Sequence, residues 1–153
     1  MPASHSDAST LPLPHALLSS PTFQLERLRK RTRDEVETRL SEAGTTLREY
    51  WVLACLSSAD GASQTSLAAT VLIDPSDLVR IIDELEKKGW AHRERDPRDR
   101  RRQLVKATKK GAKAAEKLGD LVAEGEDLAL DESTSKQLKH LRKLAKAIIA
   151  EDG

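Results

Sequence analysis

The stretch from Lys87 to Lys113, KKGWAHRERDPRDRRRQLVKATKKGAK, carries twelve Lys/Arg against three Asp/Glu. Its net charge is +9 in a chain whose total is +1, so the remaining residues sum to −8. Positive charge is concentrated in one segment of an otherwise acidic chain, and the order of its residues is as informative as their sign. Lys87-Lys88-Gly89 closes a helix, because cations complement the carbonyl end of the dipole and glycine accepts the left-handed turn that follows. An apolar and basic run comes next, from Trp90 to Arg95. Asp96-Pro97 is a turn signal. Four of the five residues from Arg98 to Arg102 are arginine, and Gln103 to Ala107 alternates as a strand does. The stretch therefore reads as a β-hairpin with strands at 90–95 and 102–107 and an arginine-loaded tip.

Upstream, Asp74-Pro75 starts a helix with Pro at its first position. Leu78, Ile81, Ile82 and Leu85 form an i, i+3, i+4, i+7 face, leaving Ser76, Asp77, Arg80, Asp83, Glu84 and Lys87 on the other side. Before it, Ser63 caps a short helix from Gln64 to about Leu72. Leu67, Ala68 and Val71 point inward there, and Gln64, Thr65 and Ser66 stand at its exposed start. Two short helices followed at once by a basic hairpin make a helix-turn-helix with a wing.

The rest of the chain frames this unit. Thr46-Leu47-Arg48-Glu49 matches a capping box, and the helix after it, to about Ser57 or Ser58, is apolar on most sides and reads as the central core helix. Ser20-Pro21 opens a long, charged helix to about Ala43 with a narrow stripe of Leu25, Leu28, Val36, Leu40 and Ala43. Thr108 caps another long helix, in which Gly111, Gly119 and Gly125 lower helix stability by up to ~1 kcal/mol each, so a closely packed neighbour must compensate. Asp131 is the expected cap of a last helix with a stripe of Leu138, Leu141, Ala145, Ile148 and Ile149. Seven acids and one lysine between residues 114 and 135 keep that region off nucleic acid. Residues 1–19, rich in Pro, Ser and Ala, are an expected flexible tail with one turn around His15 to Leu18. The expected class is mainly α with a small β-hairpin wing. A single domain over 20–153 would hold a winged helix-turn-helix lobe at 45–108, with dimerisation helices at 20–44 and 109–153.

Composition removes several classes. With four aromatics in 153 residues, the core is small and aliphatic, and easier to stabilise when helices are shared between two chains. One cysteine, Cys55, excludes a disulfide framework and the usual cysteine zinc site. The four histidines have no ligand spacing, so no metal or cofactor is expected. No Ser/His/Asp set, P-loop or dinucleotide glycine pattern is present, and the expectation is that the protein is not an enzyme. No run approaches the roughly 18 apolar residues of a membrane span, and the N-terminus lacks a secretory pattern. The expected setting is cytoplasmic, with no membrane partner.

A family resemblance rests on Ser63-Gln64-Thr65-Ser66-Leu67-Ala68, on Leu85-Glu86-Lys87-Lys88-Gly89-Trp90, and above all on Asp96-Pro97-Arg98-Asp99-Arg100-Arg101, followed by Thr108 and Gly111. In these residues the chain resembles the MarR (multiple antibiotic resistance regulator) family of bacterial winged-helix transcription regulators, over about residues 22–150. It departs in Ala107, where a Leu is usual, and in a more basic tip. The resemblance implies a homodimer in which the terminal helices intertwine. It implies binding to a pseudo-palindromic operator on double-stranded DNA, usually repression, and often release by a small phenolic or similar anion. In the family's Asp-x-Arg pattern the acid braces the inserted arginine, which carried over means that Asp99 braces Arg101.

The residues themselves indicate how DNA would be read. Ser76, Asp77 and Arg80 would face the major groove, where Arg80 can donate two hydrogen bonds to guanine. Asp77 accepts from a cytosine amino group, pairs with Arg80, or simply favours the positive helix start. Asp83 and Glu84 are solvated or partner wing arginines. Ser63, Gln64 and Thr65 suit phosphate oxygens. Arg101 would enter the narrow, electronegative minor groove, and Arg98, Arg100 and Arg102 would meet phosphates. Arg93 and Arg95 either join them or pair with acids of the reading helix. Arg48, Tyr50 and Trp51 are candidates for an effector cavity, or Trp51 is simply core. Cys55, on an apolar helix, is expected to be an inert thiol. A non-specific or architectural DNA-binding protein would share the basic wing without a defined operator.

Overall fold

The computed structural model describes residues 10–152; the first nine residues of the expected tail lie outside them. The chain forms two compact units, residues 1–31 and 32–153. In the first, α1 (His15–Leu18) is the single expected turn. It is followed by the start of α2 (Pro21–Glu42), where Gln24 Nε2 donates to the Leu18 carbonyl at 2.7 Å. Leu25 of the predicted stripe is 60% exposed in this unit.

The second unit holds the end of α2, then α3 (Leu47–Ser58), β1 (Ala62–Ser63), α4 (Gln64–Val71), α5 (Pro75–Lys87), β2 (Ala91–Arg95), β3 (Gln103–Ala107), α6 (Lys109–Ala129) and α7 (Ser135–Asp152). The helix starts follow from local chemistry. The side chains of Thr46, Ser63, Asp74 and Thr108 each accept from a free backbone N–H of the first turn. α3 is the hub, packing on α4, α5, α6 and β3. Leu40, Val52, Leu53, Leu56, Leu78, Ile82, Leu85 and Val105 are almost wholly buried, each worth about 1.5–3 kcal/mol over an exposed side chain. Between α4 and α5, Leu72 adopts a left-handed backbone with φ +55°. That sharp turn sends Ile73 into the core and leaves Asp74 free to cap α5.

Several expectations need correction. The sheet has three strands in the order β1-β3-β2, all antiparallel, with Ala62 and Arg93 both opposite Val105. A two-residue strand carries too little pattern to be seen in sequence. Trp90 belongs to the turn closing α5 rather than to the wing: its N–H donates to the Leu85 carbonyl at 2.9 Å. The cap of α7 is Thr134, not Asp131. Thr134 Oγ1 accepts from Gln137 N at 3.1 Å, and Gln137 Oε1 accepts from Thr134 N at 2.8 Å, a reciprocal box that Asp131 has no part in. Trp51, on the apolar core helix, is 39% exposed.

The glycines of α6 find their compensation in close approaches. A Cβ on Gly111 would stand 1.9 Å from the Trp90 carbonyl oxygen, and one on Gly125 3.0 Å from the Val36 Cα. Only glycine lets α6 lie directly against the wing root and α2.

Candidate nucleic-acid interface

At 3.6 residues per turn, the buried Leu78, Ile82 and Leu85 define one side of α5. Val79, Asp83, Ser76 and Arg80 fall on an opposite arc of about 100°, and all four are exposed. Arg80 projects furthest, with a side chain 78% exposed. The carboxylates that would repel phosphate each have a cation. Asp77 lies 3.9 Å from Arg80 Nη1 and 3.7 Å from Arg48 Nη1. Asp83 lies 2.8 Å from Arg93 Nη1, and Glu84 3.1 Å from Lys87 Nζ. Asp74 accepts from the hydroxyl and the N–H of Ser76, which hold its carboxyl below the usual carboxylate range. α5 thus holds Arg80 outward with its own acidity locally neutralised.

Arg93, one of two strand arginines with alternative roles, is a structural tie. Its side chain is only 19% exposed. Nε donates to Gln64 Oε1 at 3.1 Å, Nη1 donates to Asp83 and to Glu86, and Nη2 reaches the Val79 carbonyl at 3.4 Å. One guanidinium therefore binds β2 to both helices of the reading unit. Gln64 spends its carbonyl oxygen on Arg93, which leaves its amide N–H groups for a ligand. Ser63 Oγ accepts from Ser66 N at 3.1 Å, so its hydroxyl proton stays available, and Thr65 is exposed beside it.

The wing tip is built from aspartates that fold the backbone. Asp96 Oδ1 accepts from Arg98 N at 2.8 Å, and Asp99 Oδ1 accepts from Arg101 N at 3.0 Å. The same Asp99 oxygen is 3.4 Å from Arg101 Nε, while the Arg101 side chain is 93% exposed. Asp99 therefore sets the direction of Arg101 without covering it. Lower on the wing, Glu94 takes Lys106 at 2.8 Å and His92 at 3.1 Å. These contacts hold its carboxyl below its ordinary range and raise Lys106 above its own. Among the described residues, the side chains of Arg95, Arg98, Arg100 and Arg102 have no ion-pair partner. Apart from Arg95 at the end of β2, the arginine and lysine charges of the strands are paired, whereas most of those at the tip are not.

Arg101 and Arg102 share the wall of an open groove of about 590 Å³ with Ser63, Gln64, Thr65 and Ser66. Residues roughly 35 positions apart thereby line one polar, cationic channel beside the outward arc of α5. It can accept a phosphodiester backbone through hydroxyl, amide and guanidinium donors.

The three candidate effector residues do not converge. Arg48 reaches Asp77 on α5. Tyr50 is half-buried toward α6, where burial, Glu126 and Asp120 push its hydroxyl pKa up. Trp51 faces outward. Burial raises the Cys55 thiol pKa, in keeping with an unreactive group. The described residues contain no cluster of His, Cys, Asp or Glu able to hold a metal, and no helix among them is long and apolar enough to cross a membrane. Two residues of the site, Ser66 and Val79, were not among the sequence candidates. Val79 had a visible signal, being apolar yet off the buried stripe of α5.

Comparison with known proteins agrees with this geometry. Residues 45–102 match the MarR family. The multiple antibiotic resistance protein MarR of Escherichia coli is 35% identical over 89 residues, 58% of this chain and 60% of that protein. A transcriptional regulatory protein named for the hcr operon of Thauera aromatica is 33% identical over 79 residues, 52% of this chain. The chain spans about half the length of that relative, 48%. Solved structures align more completely. A MarR-family transcriptional regulator from Rhodococcus sp. RHA1 superposes with TM-score 0.81 at 28% identity, over 88% of this chain and 96% of that one. CouR of Rhodococcus jostii RHA1, solved with p-coumaroyl-CoA, gives TM-score 0.75 at 29% identity over 88% and 95%. A mutant E. coli MarR complexed with operator DNA gives 0.71 at 25% identity over 82% and 90%. The match is centred on the reading lobe, and the fold is shared over nearly the full length of a solved MarR-family regulator; in both respects the chain is similar to the MarR family.

Proposed function

We propose that this protein is a sequence-specific, DNA-binding transcriptional regulator that acts as a homodimer on a pseudo-palindromic operator in the cytoplasm. The observation that carries the reading is the shared groove. Ser63, Gln64 and Thr65 stand across from Arg101 and Arg102, next to a helix whose outward arc ends in Arg80. In this assignment Arg80 and Ser76 meet base edges, and Asp77 orients Arg80. Arg101, braced by Asp99, enters the minor groove, while Arg98, Arg100 and Arg102 meet phosphates. Occupying a promoter-proximal site excludes polymerase, so repression is the simplest mode.

Dimer formation is supported by α7. Its 18 residues bury none of their side chains, and Leu144, Ile148 and Ile149 are more than half exposed. A helix of that length gains little stability alone, and a second copy supplies the missing cover. The N- and C-terminal helices, 20–44 and 109–153, are the proposed dimerisation elements around the reading lobe at 45–108.

Release by a small-molecule effector is proposed by similarity to CouR. Tyr50, at the packing of α3 on α6, is the residue through which it would act. The acids Glu126 and Asp120 around it favour a neutral phenol over an anion. Arg48 is better placed to steady Asp77 than to meet a ligand.

The test is footprinting on DNA upstream of the protein's own gene, with affinity compared against random duplex of equal length. A protected palindrome with half-sites about one helical turn apart, and a preference of about 10³-fold or more over random duplex, is the expected result. Equal affinity for both duplexes would replace this reading with an architectural one.

A further inference from the structure

On the exposed arc of α5, Ser76, Arg80 and Asp83 are polar or charged and Val79 is not. Val79 is 39% exposed, and its position is fixed from two sides. Its carbonyl oxygen lies 3.4 Å from Arg93 Nη2, which holds that turn of helix against the wing. Its side chain lines a cleft of about 430 Å³ between α4 and α5, together with Thr65, Ala69 and Pro75. The cleft is predominantly apolar, and Gln64 and Thr65, which also line the phosphate-accepting groove, stand at its edge. An apolar recess is thus set into the surface that faces DNA, within one helical turn of Arg80.

We propose that Val79 is a specificity-determining residue that reads the C5-methyl group of a thymine, with the α4–α5 cleft receiving the methyl. This rests on the DNA-binding function proposed above and adds a base identity to it. Major-groove edges offer donors and acceptors for all four base pairs, but only thymine offers an apolar group. A β-branched aliphatic side chain, stiff at χ1 and held by its backbone, gains from covering that methyl. It loses hydration and finds no hydrogen bond when set against a cytosine amino group. Each half-site should therefore carry a thymine beside the position read by Arg80, at the point where Val79 meets the groove.

The experiment uses the full chain. A preferred duplex is selected from a random library, and each thymine in it is replaced in turn by deoxyuridine, which removes the methyl and nothing else. Affinities are measured by fluorescence anisotropy for the native protein, Val79→Ala and Val79→Thr. One thymine per half-site is expected at which the loss of the methyl weakens native binding about fourfold, the value of one buried carbon. Val79→Ala should be indifferent to that replacement, and Val79→Thr, which keeps a methyl and the branch, should retain part of it. Native protein indifferent at every thymine, or Val79→Ala keeping the full dependence, would overturn the assignment while leaving DNA binding intact. Recovery of no preferred duplex at all would overturn the underlying function and this assignment with it.

Discussion

Arg93 and Arg101 lie in the same basic hairpin, eight residues apart, and should fail in different ways when shortened. The Arg93 side chain is 19% exposed and hydrogen-bonds Gln64, Asp83 and Glu86. The Arg101 side chain is 93% exposed and, among the described residues, has Asp99 as its ion-pair partner. A hydrogen bond to a charged group is worth about 1.5–3 kcal/mol. Asp83 is itself half exposed, so its share is screened. Arg93→Lys, which keeps the charge but loses the planar fork, should cost about 2 kcal/mol of stability. For a chain of this size that lowers Tm by about 4–8 °C. The slope of log K against log salt for DNA should stay the same, because no phosphate contact has gone. Arg101→Ala should leave Tm unchanged. A guanidinium set in the minor groove displaces counterions as one on a phosphate does, so each such cation lost removes about 0.9 from that slope, and a homodimer loses two. The slope should therefore fall by ~1.8 and affinity by roughly thirtyfold at 0.15 M salt from counterion release alone. Thermal melts and salt titrations by fluorescence anisotropy measure both quantities. An Arg93→Lys protein with native Tm and a shallower slope would place Arg93 on the DNA, and the structural tie would be wrong. An Arg101→Ala protein with native slope and affinity would remove the wing from the interface.

The close helix approaches make a second test. Gly111→Ala and Gly125→Ala should each lower Tm despite alanine's better helix propensity, because the new Cβ meets backbone at 1.9 Å and 3.0 Å; overpacking of this kind costs about 1–3 kcal/mol. Gly119→Ala meets only the Tyr50 hydroxyl at 3.2 Å and should melt closer to the native protein than either. At the start of α7, Thr134→Ala should cost about 1 kcal/mol and reduce helix content by circular dichroism, whereas Asp131→Ala should change neither. Finally, burial raises the folded-state pKa of Glu126 above its ordinary value. A raised carboxyl binds its proton more tightly when folded, so its contribution is favourable at low pH and is lost as pH rises through the folded value. Glu126→Gln should therefore melt higher than the native protein at pH 7, with the difference shrinking toward pH 4. A difference that grows on acidification would reverse the sign of the burial argument.

The parts of this protein that could be read along the chain are those whose physics is local. Four of the helix starts are announced by hydroxyl or carboxyl caps that act within three residues. The wing is announced by Asp96-Pro97 and by alternation, and the brace of Arg101 by an aspartate two residues away. The apolar stripe of α5 foretold its buried face because an amphipathic helix has only one way to lie on a core. The start of α7 is not legible locally, because Asp131 and Thr134 both have side chains that suit a cap and only the reciprocal bonds between Thr134 and Gln137 distinguish them.

What could not be read are partnerships between distant residues. Glu49 and Lys88 pair across 39 positions, joining the start of α3 to the end of α5. Arg93 reaches Gln64 across 29, and nothing in an alternating basic strand says which arginine will turn inward to do so. Trp51 and Tyr50 illustrate the same limit: neighbours on one apolar helix, they point to different surroundings once α3 is set against α6. Periodicity determines which face of an element is apolar. Which charged groups cancel, and which remain for a ligand, depends on distances of a few ångströms across elements, because a Coulombic pair weakens with separation and screening in a way that sequence spacing does not record. The net charge of +9 was visible in the chain; its resolution into a neutralised root and a free, arginine-bearing tip came from the packing of β2 against α4 and α5.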